Sequence, residues 1–310
     1  MIVYPSYYTE FRCIASRCRH NCCIGWEIDV DDETADRYRR VDGELGKRLK
    51  ENICYNDTSA FFRLAERDRC PFLNGQNLCD IIGSLGEDAL CEICREHPRY
   101  RNFYSQREEV GLGLSCEEAA RIVLSQAEPM RLVNTDGIPP EDLGDGEEQQ
   151  FFRHRREVLA GLQDRTCSLA ARMDRLSECL GISLDARSLD EWISVFRSLE
   201  CLDPAWHTAL SSITPEDWNM ADERLDLPGE QLISAFVYRH FSRVLEGDSP
   251  AALVGFCILS TRTILALWHA RERENGTLTT ADLVEYTRMY SAEIEYSPEN
   301  TDRLIDEFYE

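Results

Sequence analysis

The chain has 310 residues, 43% of them hydrophobic, which is enough for one large domain or two and excludes a disordered chain. The formal net charge is −23. A surface this acidic repels nucleic acid and anionic membranes and would attract basic partners, although plain solubility is the better explanation of the charge.

The first part of the chain, residues 1–133, is predicted to be a cysteine-rich, irregular metal- or cluster-binding domain. It lacks a basic region followed by an apolar stretch, so we expect no secretory signal. Residues 30–50 are predicted to form a helix with acids in its first turn and bases later. A short helix is predicted over 84–96, ending before Pro98, a strand over 107–116, and then a helix that opens at Cys116.

An acidic stretch rich in glycine and proline, residues 134–149, is predicted to be a linker. The last part, residues 150–310, is predicted to be an all-α helical domain, because apolar residues recur there at steps of three and four. Residues 250–271 read as one long apolar helix, and Thr279 is a plausible cap of the helix that follows. The fold class expected is therefore mainly α. No window of 18 uninterrupted apolar residues occurs, so we expect no transmembrane helix and a cytoplasmic protein.

Ten of the fourteen cysteines lie within the first 116 residues, and four of them form the run C-x4-C-x3-C-C at residues 13–23. In a reducing cytosol, clustered thiols are more often metal ligands than disulfides. Tetrahedral zinc and a [4Fe–4S] cluster both take four thiolates, so the pattern leaves both open. The number of thiols and the sulfur-only donor set favour iron–sulfur.

Histidines and acids beside the cysteines are weaker candidates. His20 and His97 could ligate a metal, although a supporting role fits each better. Glu27, in the Gly-Trp-Glu that follows the cysteine run, could bind an ammonium group or accept its proton, or form a surface ion pair. His269, like the other histidines of the last part, shows no metal-ligand spacing. The chain has no Rossmann or P-loop glycine motif.

Three segments of the chain resemble the flagellin lysine-N-methylase family (FliB). They are FRCIASRCRHNCCIGWEIDVD, CPFLNGQNLCDIIGSLGEDALCEICREHPR and GLGLSCEEAARIVL. The later strings SAFVYRHF and YSAEIEYSPEN are similar to that family as well. The resemblance implies a protein-lysine N-methyltransferase that moves methyl groups from S-adenosylmethionine to flagellin, with a [4Fe–4S] cluster held by N-terminal cysteines.

Carried over by motif, the resemblance implies eight candidate metal ligands: Cys13, Cys18, Cys22, Cys23, Cys70, Cys79, Cys94 and Cys116. Cys91 is discounted, because the family has a different residue at that position. Eight thiols exceed the needs of one cluster, so a second metal, a second cluster or reserve thiols remain open.

A lysine methylase must remove a proton from an ammonium group whose pKa is near 10.4. By motif position, the candidate catalytic residues are Glu27, Tyr238 and His240, and Arg239 is the candidate for binding the donor's carboxylate. The alternative for the string YRHF is a buried helix face in which Arg239 pairs with an acid.

Two other functions compete with the methyltransferase. One is a non-enzymatic zinc- or iron–sulfur-binding protein whose helical domain is a platform for a partner, and the other is a redox sensor that uses the cysteine array. Only Lys47 and Lys50 are lysines, while 32 residues are arginine. Codon bias explains this, as would avoidance of self-modification by a lysine-directed enzyme.

Overall fold

The protein is described by a computed structural model that covers residues 1–25, 28–56, 59–140 and 146–309. It is mainly α, with about 60% of residues in helices. The chain separates into two compact units. One contains Arg12–Tyr100, and the other contains Met1–Phe11 together with the chain from Arg101 onward.

The unit Arg12–Tyr100 combines short helices with a small antiparallel sheet of strand order β2-β4-β3. Its strands are β2 (Asp29–Val30), β3 (Ile53–Tyr55) and β4 (Ala60–Phe62), and its helices are α1 (Asp32–Arg39), α2 (Gly43–Asn52), α3 (Asp80–Leu85) and α4 (Glu92–Glu96).

The core of this unit contains buried aromatic rings, and the hydroxyl of its tyrosine has a hydrogen-bond partner. Tyr38 is fully buried, and its hydroxyl donates to the carbonyl of Ala89 at 2.7 Å. Phe62 contacts the rings of both Tyr38 and Phe72. Asp31 connects two helices, because its carboxylate accepts from Thr34 N in α1 and from Glu92 N at the start of α4.

The second unit contains a four-stranded sheet of order β5-β6-β1-β7, in which β1 runs parallel to β6 and antiparallel to β7. The strands are β1 (Ile2–Pro5), β5 (Arg99–Phe103), β6 (Glu108–Leu112) and β7 (Leu132–Asn134). Because β1 lies between β6 and β7, the first residues of the chain belong with this unit.

Most of the second unit is helical, and no strand occurs in the described residues after Asn134. The helices are α5 (Glu117–Leu124), α6 (Gly146–Leu162), α7 (Leu169–Leu180), α8 (Leu189–Ser198), α9 (Ala205–Ser212), α10 (Pro215–Asn219), α11 (Asp226–His240), α12 (Pro250–Asn275), α13 (Thr280–Tyr290) and α14 (Pro298–Asp306), with one π-helical turn at Ser291–Glu295.

Helix α12 is the central helix of this unit. It is the one described helix long and apolar enough to cross a membrane, yet 83% of its most apolar window is buried inside the protein. A helix that is apolar on all sides is also what the core of a large helical domain requires. Its neighbours α10, α11, α13 and α14 all pack against it.

A buried ion network lies between the sheet and α6. Glu109 of β6 is fully buried, and Arg155 donates to its two carboxylate oxygens at 2.6 and 2.7 Å. Arg107 pairs with the same carboxylate. Burial alone would raise the pKa of Glu109, but the two guanidinium groups outweigh it and hold that pKa below its usual value.

Several sequence predictions are confirmed. A strand is present at Glu108–Leu112, a helix begins directly after Cys116, and α12 is the predicted long apolar helix. Thr279 caps α13 through a reciprocal capping box with Asp282.

The predicted helix over 30–50 is wrong in one respect, because the chain turns between α1 and α2. Gly43 has φ +78°, and a Cβ at Gly46 would lie 2.0 Å from the Val41 carbonyl oxygen, so this corner depends on two glycines. The predicted helix over 84–96 is likewise divided into the end of α3, a 3-10 turn and α4.

The compact units differ from the predicted division into residues 1–133, 134–149 and 150–310. Residues 1–11 and 101–133 lie with the helical unit, because their strands form its sheet. Sequence periodicity did not detect this, since β1 and β7 are only four and three residues long. In the predicted linker, β7 extends to Asn134, α6 begins at Gly146, and residues 141–145 lie outside the described part of the chain.

We expect Glu109→Gln to reduce the free energy of unfolding by about 3–5 kcal/mol, because it leaves buried guanidinium charge uncompensated. The neighbouring Glu108→Gln is the matched control. Glu108 pairs with Arg101 near the surface, where such a pair is worth about 0–1 kcal/mol. Urea denaturation of both variants measures the difference, and equal losses would contradict the role given to Glu109.

Candidate metal centre

Five cysteines from four segments pack against one hydrophobic core in the unit Arg12–Tyr100. Cys70 and Cys91 are buried members of that core, with 5% and 1% exposure. Cys23, Cys79 and Cys94 are half-buried and pack against the same core. These five residues are called the thiol cluster below. None of the fourteen cysteines is in a disulfide.

Backbone hydrogen bonds bring the first segments together. The amide of Cys70 donates to the carbonyl of Cys23 at 2.8 Å, so these two residues are direct neighbours. The loop after Cys70 turns back through a hydrogen bond from Leu73 N to Cys70 O at 3.1 Å, and Leu73 then pairs with Cys79. The loop between Cys70 and Cys79 therefore folds back on itself.

Cys91 and Cys94 are joined by the first turn of α4. Cys91 is the N-cap residue, and its carbonyl accepts from Arg95 N at 3.0 Å. In this C-x2-C arrangement the Cys94 thiol is hydrogen-bonded to the Cys91 sulfur, which raises the pKa of Cys94 and lowers that of Cys91. Cys22 and Cys23 form a similar pair, in which the pKa of Cys22 is lowered and that of Cys23 is raised.

The sulfur atoms of different segments are close enough to influence one another's ionisation. The pKa of Cys94 is raised by its hydrogen bond to Cys91, by burial, and by repulsion from Cys23 and Cys70. Cys70 and Cys79 similarly raise the pKa of Cys23. Like charges in a poorly solvated place oppose one another, so ionising several of these thiols together is unfavourable unless a cation compensates them.

Backbone amides near the thiol cluster favour the ionised sulfurs. Those of Phe72 and Leu73 counteract the rise in the pKa of Cys70, and those of Ile81 and Ile82 counteract the rise in the pKa of Cys79. Burial outweighs their effect and raises the pKa of Cys70 to about 11. N–H groups directed at sulfur stabilise thiolates and tune bound metals, so the surroundings suit a metal centre as well as the thiols do.

The other predicted ligands are placed differently. Cys13 is exposed, with Ala15 N donating to its sulfur at 3.4 Å, and the Cys18 thiol donates to the carbonyl of His20 at 3.1 Å. Cys116 is the N-cap residue of α5 and belongs to the other compact unit. His97 follows α4, and burial lowers its pKa to about 4, so its imidazole is neutral at pH 7.

Cys91, which the family pattern discounts as a ligand, lies in the thiol cluster. It is among the most buried thiols of the chain and forms one half of the C-x2-C pair. Its spacing to Cys94 was the available signal. One helical turn is enough to bring two such thiols together.

The predicted catalytic residues of α11 have structural partners. The Tyr238 hydroxyl lies 3.2 Å from the Val110 carbonyl and 3.4 Å from the Val3 carbonyl, which ties α11 to the sheet. Its side chain is 1% exposed. These contacts favour a packing role for Tyr238.

His240 and Arg239 both meet Glu295 in the π-helical turn. The His240 imidazole lies 2.8 Å from a Glu295 carboxylate oxygen, and burial lowers the pKa of this histidine. Arg239 donates to the Glu295 carbonyl at 3.2 Å and covers the ring of Tyr296 at 5.0 Å. The arrangement matches the alternative of a buried helix face in which Arg239 pairs with an acid. Glu27 lies outside the described residues.

The chain is similar to proteins named for lysine methylation and flagellar biosynthesis. Lysine-N-methylases of Salmonella typhimurium and Salmonella choleraesuis are each 30% identical over 137 residues, which is 41% of this chain and 33% of theirs. The flagellar biosynthetic protein FliU of Salmonella muenchen is 28% identical over 156 residues, which is 48% of this chain and 85% of that protein. The chain therefore matches about a third of the length of these methylases. No protein-family model and no solved structure matches.

We expect Cys91→Ser and Cys23→Ser each to lose most of the metal bound by the protein after anaerobic reconstitution, and to lower the melting temperature, because metal binding adds to folding free energy. Cys179→Ser is the matched control, since Cys179 is exposed on α7. Elemental analysis and thermal melts check this. If Cys91→Ser keeps the wild-type metal content, Cys91 acts only as a small buried hydrophobic residue.

Proposed function

We propose that this protein is a protein-lysine N-methyltransferase that acts on flagellin, uses S-adenosylmethionine and holds a [4Fe–4S] cluster at the thiol cluster. The observation that carries the proposal is the convergence of five thiols on one core, in a chain similar to lysine-N-methylases. We place the reaction in the cytoplasm, where clustered thiols stay reduced.

The donor set fits an iron–sulfur cluster. Four thiolates are needed, and Cys23, Cys70, Cys79, Cys91 and Cys94 offer five, with Cys22 directly beside them. The amides that point at Cys70 and Cys79 would stabilise the ionised sulfurs. When bound, such a cluster supplies one-electron chemistry or an iron site for a ligand.

A basic substrate suits the charge of this protein. The part of the chain after Met130 carries −17 of the net −23. A lysine-bearing segment of flagellin would be attracted over long range, and the attraction would weaken with salt. The two lysines of the chain lie together on α2, so few sites for self-methylation are present.

No residue is assigned to the methyl donor. Arg239, the candidate from the resemblance, directs its guanidinium to Glu295 and Tyr296, so the described contacts do not fit a ligand of the donor's carboxylate.

The test is a methyl-transfer assay with anaerobically reconstituted protein, S-adenosylmethionine and purified flagellin, with mass spectrometry of the flagellin lysines. We expect methylated lysines with the wild type and with Cys179→Ser, and a strong loss with Cys91→Ser. A broad visible absorption band is expected for iron–sulfur, and its absence together with bound zinc would show a zinc centre instead.

Two results would separate the parts of the proposal. A visible band without transfer to any lysine would leave a cluster-binding protein that is not this enzyme. Full transfer by Cys91→Ser and Cys23→Ser proteins that lack iron would show that methylation does not need the thiol cluster.

A further inference from the structure

Three side chains of the helical unit bring metal-binding atoms together outside the thiol cluster. His269 and Glu272 are three residues apart on α12, so they lie on one face of that helix. Asp222 comes from the segment before α11 and caps the 3-10 turn Glu223–Leu225. One imidazole nitrogen and one oxygen of each carboxylate all lie within 4.8 Å of one another. These residues are called the Asp–His–Glu group below.

His269 has a buried polar atom without a partner. Its side chain is 3% exposed, and its Nδ1 has no hydrogen-bond partner among the described residues. An unpaired buried polar atom is costly, so such atoms in folded proteins usually have a ligand, ion or water as partner. His240, the other strongly buried histidine, has Glu295 at 2.8 Å.

The Asp–His–Glu group borders a cavity. A space of about 440 Å³ is lined by Asp222 and His269, with Trp218 and Leu265 among the apolar residues of its wall. An ion held at its edge by three protein ligands would keep a fourth position for water or a small molecule in the cavity, as open zinc sites do.

Arg224 now neutralises the two carboxylates. Its guanidinium donates to Asp222 at 2.6 and 3.0 Å and to Glu272 at 2.9 Å twice. The Arg224 side chain is 67% exposed, whereas those of Asp222 and Glu272 are only 10% and 26% exposed. A divalent cation must displace these two bidentate pairs, so Arg224 acts as a competitor for the site.

We propose that Asp222, His269 and Glu272 form a zinc-binding site at the edge of this cavity. The sequence analysis missed it, because Asp222 is distant in the chain and His-x-x-Glu alone is a weak pattern. A nitrogen and two carboxylate oxygens suit Zn²⁺, whereas Mg²⁺ and Ca²⁺ favour all-oxygen sites. The site is independent of the proposed methyl transfer, and the test of one proposal does not decide the other.

The test is a zinc titration of the full-length protein against a competing fluorescent chelator, for the wild type and His269→Phe. We expect the variant to bind one zinc fewer and to keep its melting temperature, because the ring still fills the space and Nδ1 has no hydrogen bond to lose. Equal zinc binding by both proteins would overturn the proposal.

Cobalt distinguishes this site from the cysteines. Thiolate-bound Co²⁺ gives strong sulfur-to-metal charge transfer, so the spectral difference between wild type and His269→Phe should contain only weak ligand-field bands. A difference spectrum dominated by charge transfer would mean that the lost ion was bound by sulfur, and the proposal would fail.

Two further variants test the remaining ligands. Glu272→Gln should weaken zinc binding, while Arg224→Met should strengthen it by about three- to tenfold, because the competing cation is gone. Asp174→Asn removes an exposed acid from the cavity wall outside the Asp–His–Glu group and is the matched control. If Asp174→Asn weakens binding as much as Glu272→Gln, diffuse acidity and not a site attracts the zinc.

Discussion

Repulsion between sulfur atoms gathered at one core is the constraint on which the functional interpretation of this protein depends. Negative charge on Cys70 and Cys79 would raise the pKa of Cys23, and charge on Cys23 and Cys70 would raise that of Cys94. The pKa of Cys70 is raised first by burial and then by Cys79 and Cys91. The proposed metal centre would compensate this repulsion and would couple the folding of the unit to metal binding.

The helical unit handles buried charge in the opposite way. Two of its buried carboxylates have guanidinium partners from the chain itself, since Glu109 pairs with Arg155 and Glu230 pairs with Arg172. The described contacts of the thiol cluster are instead with backbone amides and with other sulfurs. These carboxylates of the helical unit are therefore compensated from within the chain, whereas the proposed centre in the other unit would take up a cation.

Local signals in the sequence were sufficient for elements whose cause is local. Thr279 and Asp282 cap α13 because a capping box needs only four residues, and α12 is apolar around its whole circumference because it is the core helix. The short strand β1 and the corner at Gly43 escaped prediction. A strand of four residues acquires its partners only through the tertiary fold, and the corner depends on a close approach of Gly46 to Val41.

By itself, the sequence determined which chemical groups the protein has and where they lie along the chain. It shows many thiols near the N-terminus, a strongly acidic composition, and a second half with helical periodicity. The tertiary structure decided which of those groups meet. It placed Cys91 in the thiol cluster, brought Asp222 to His269 across 47 residues of chain, and gave Tyr238 and His240 packing partners. The spacing of residues along a chain determines contacts only within a turn or a helix. Distant groups come together through the burial of apolar surface, and this leaves no local pattern in the sequence.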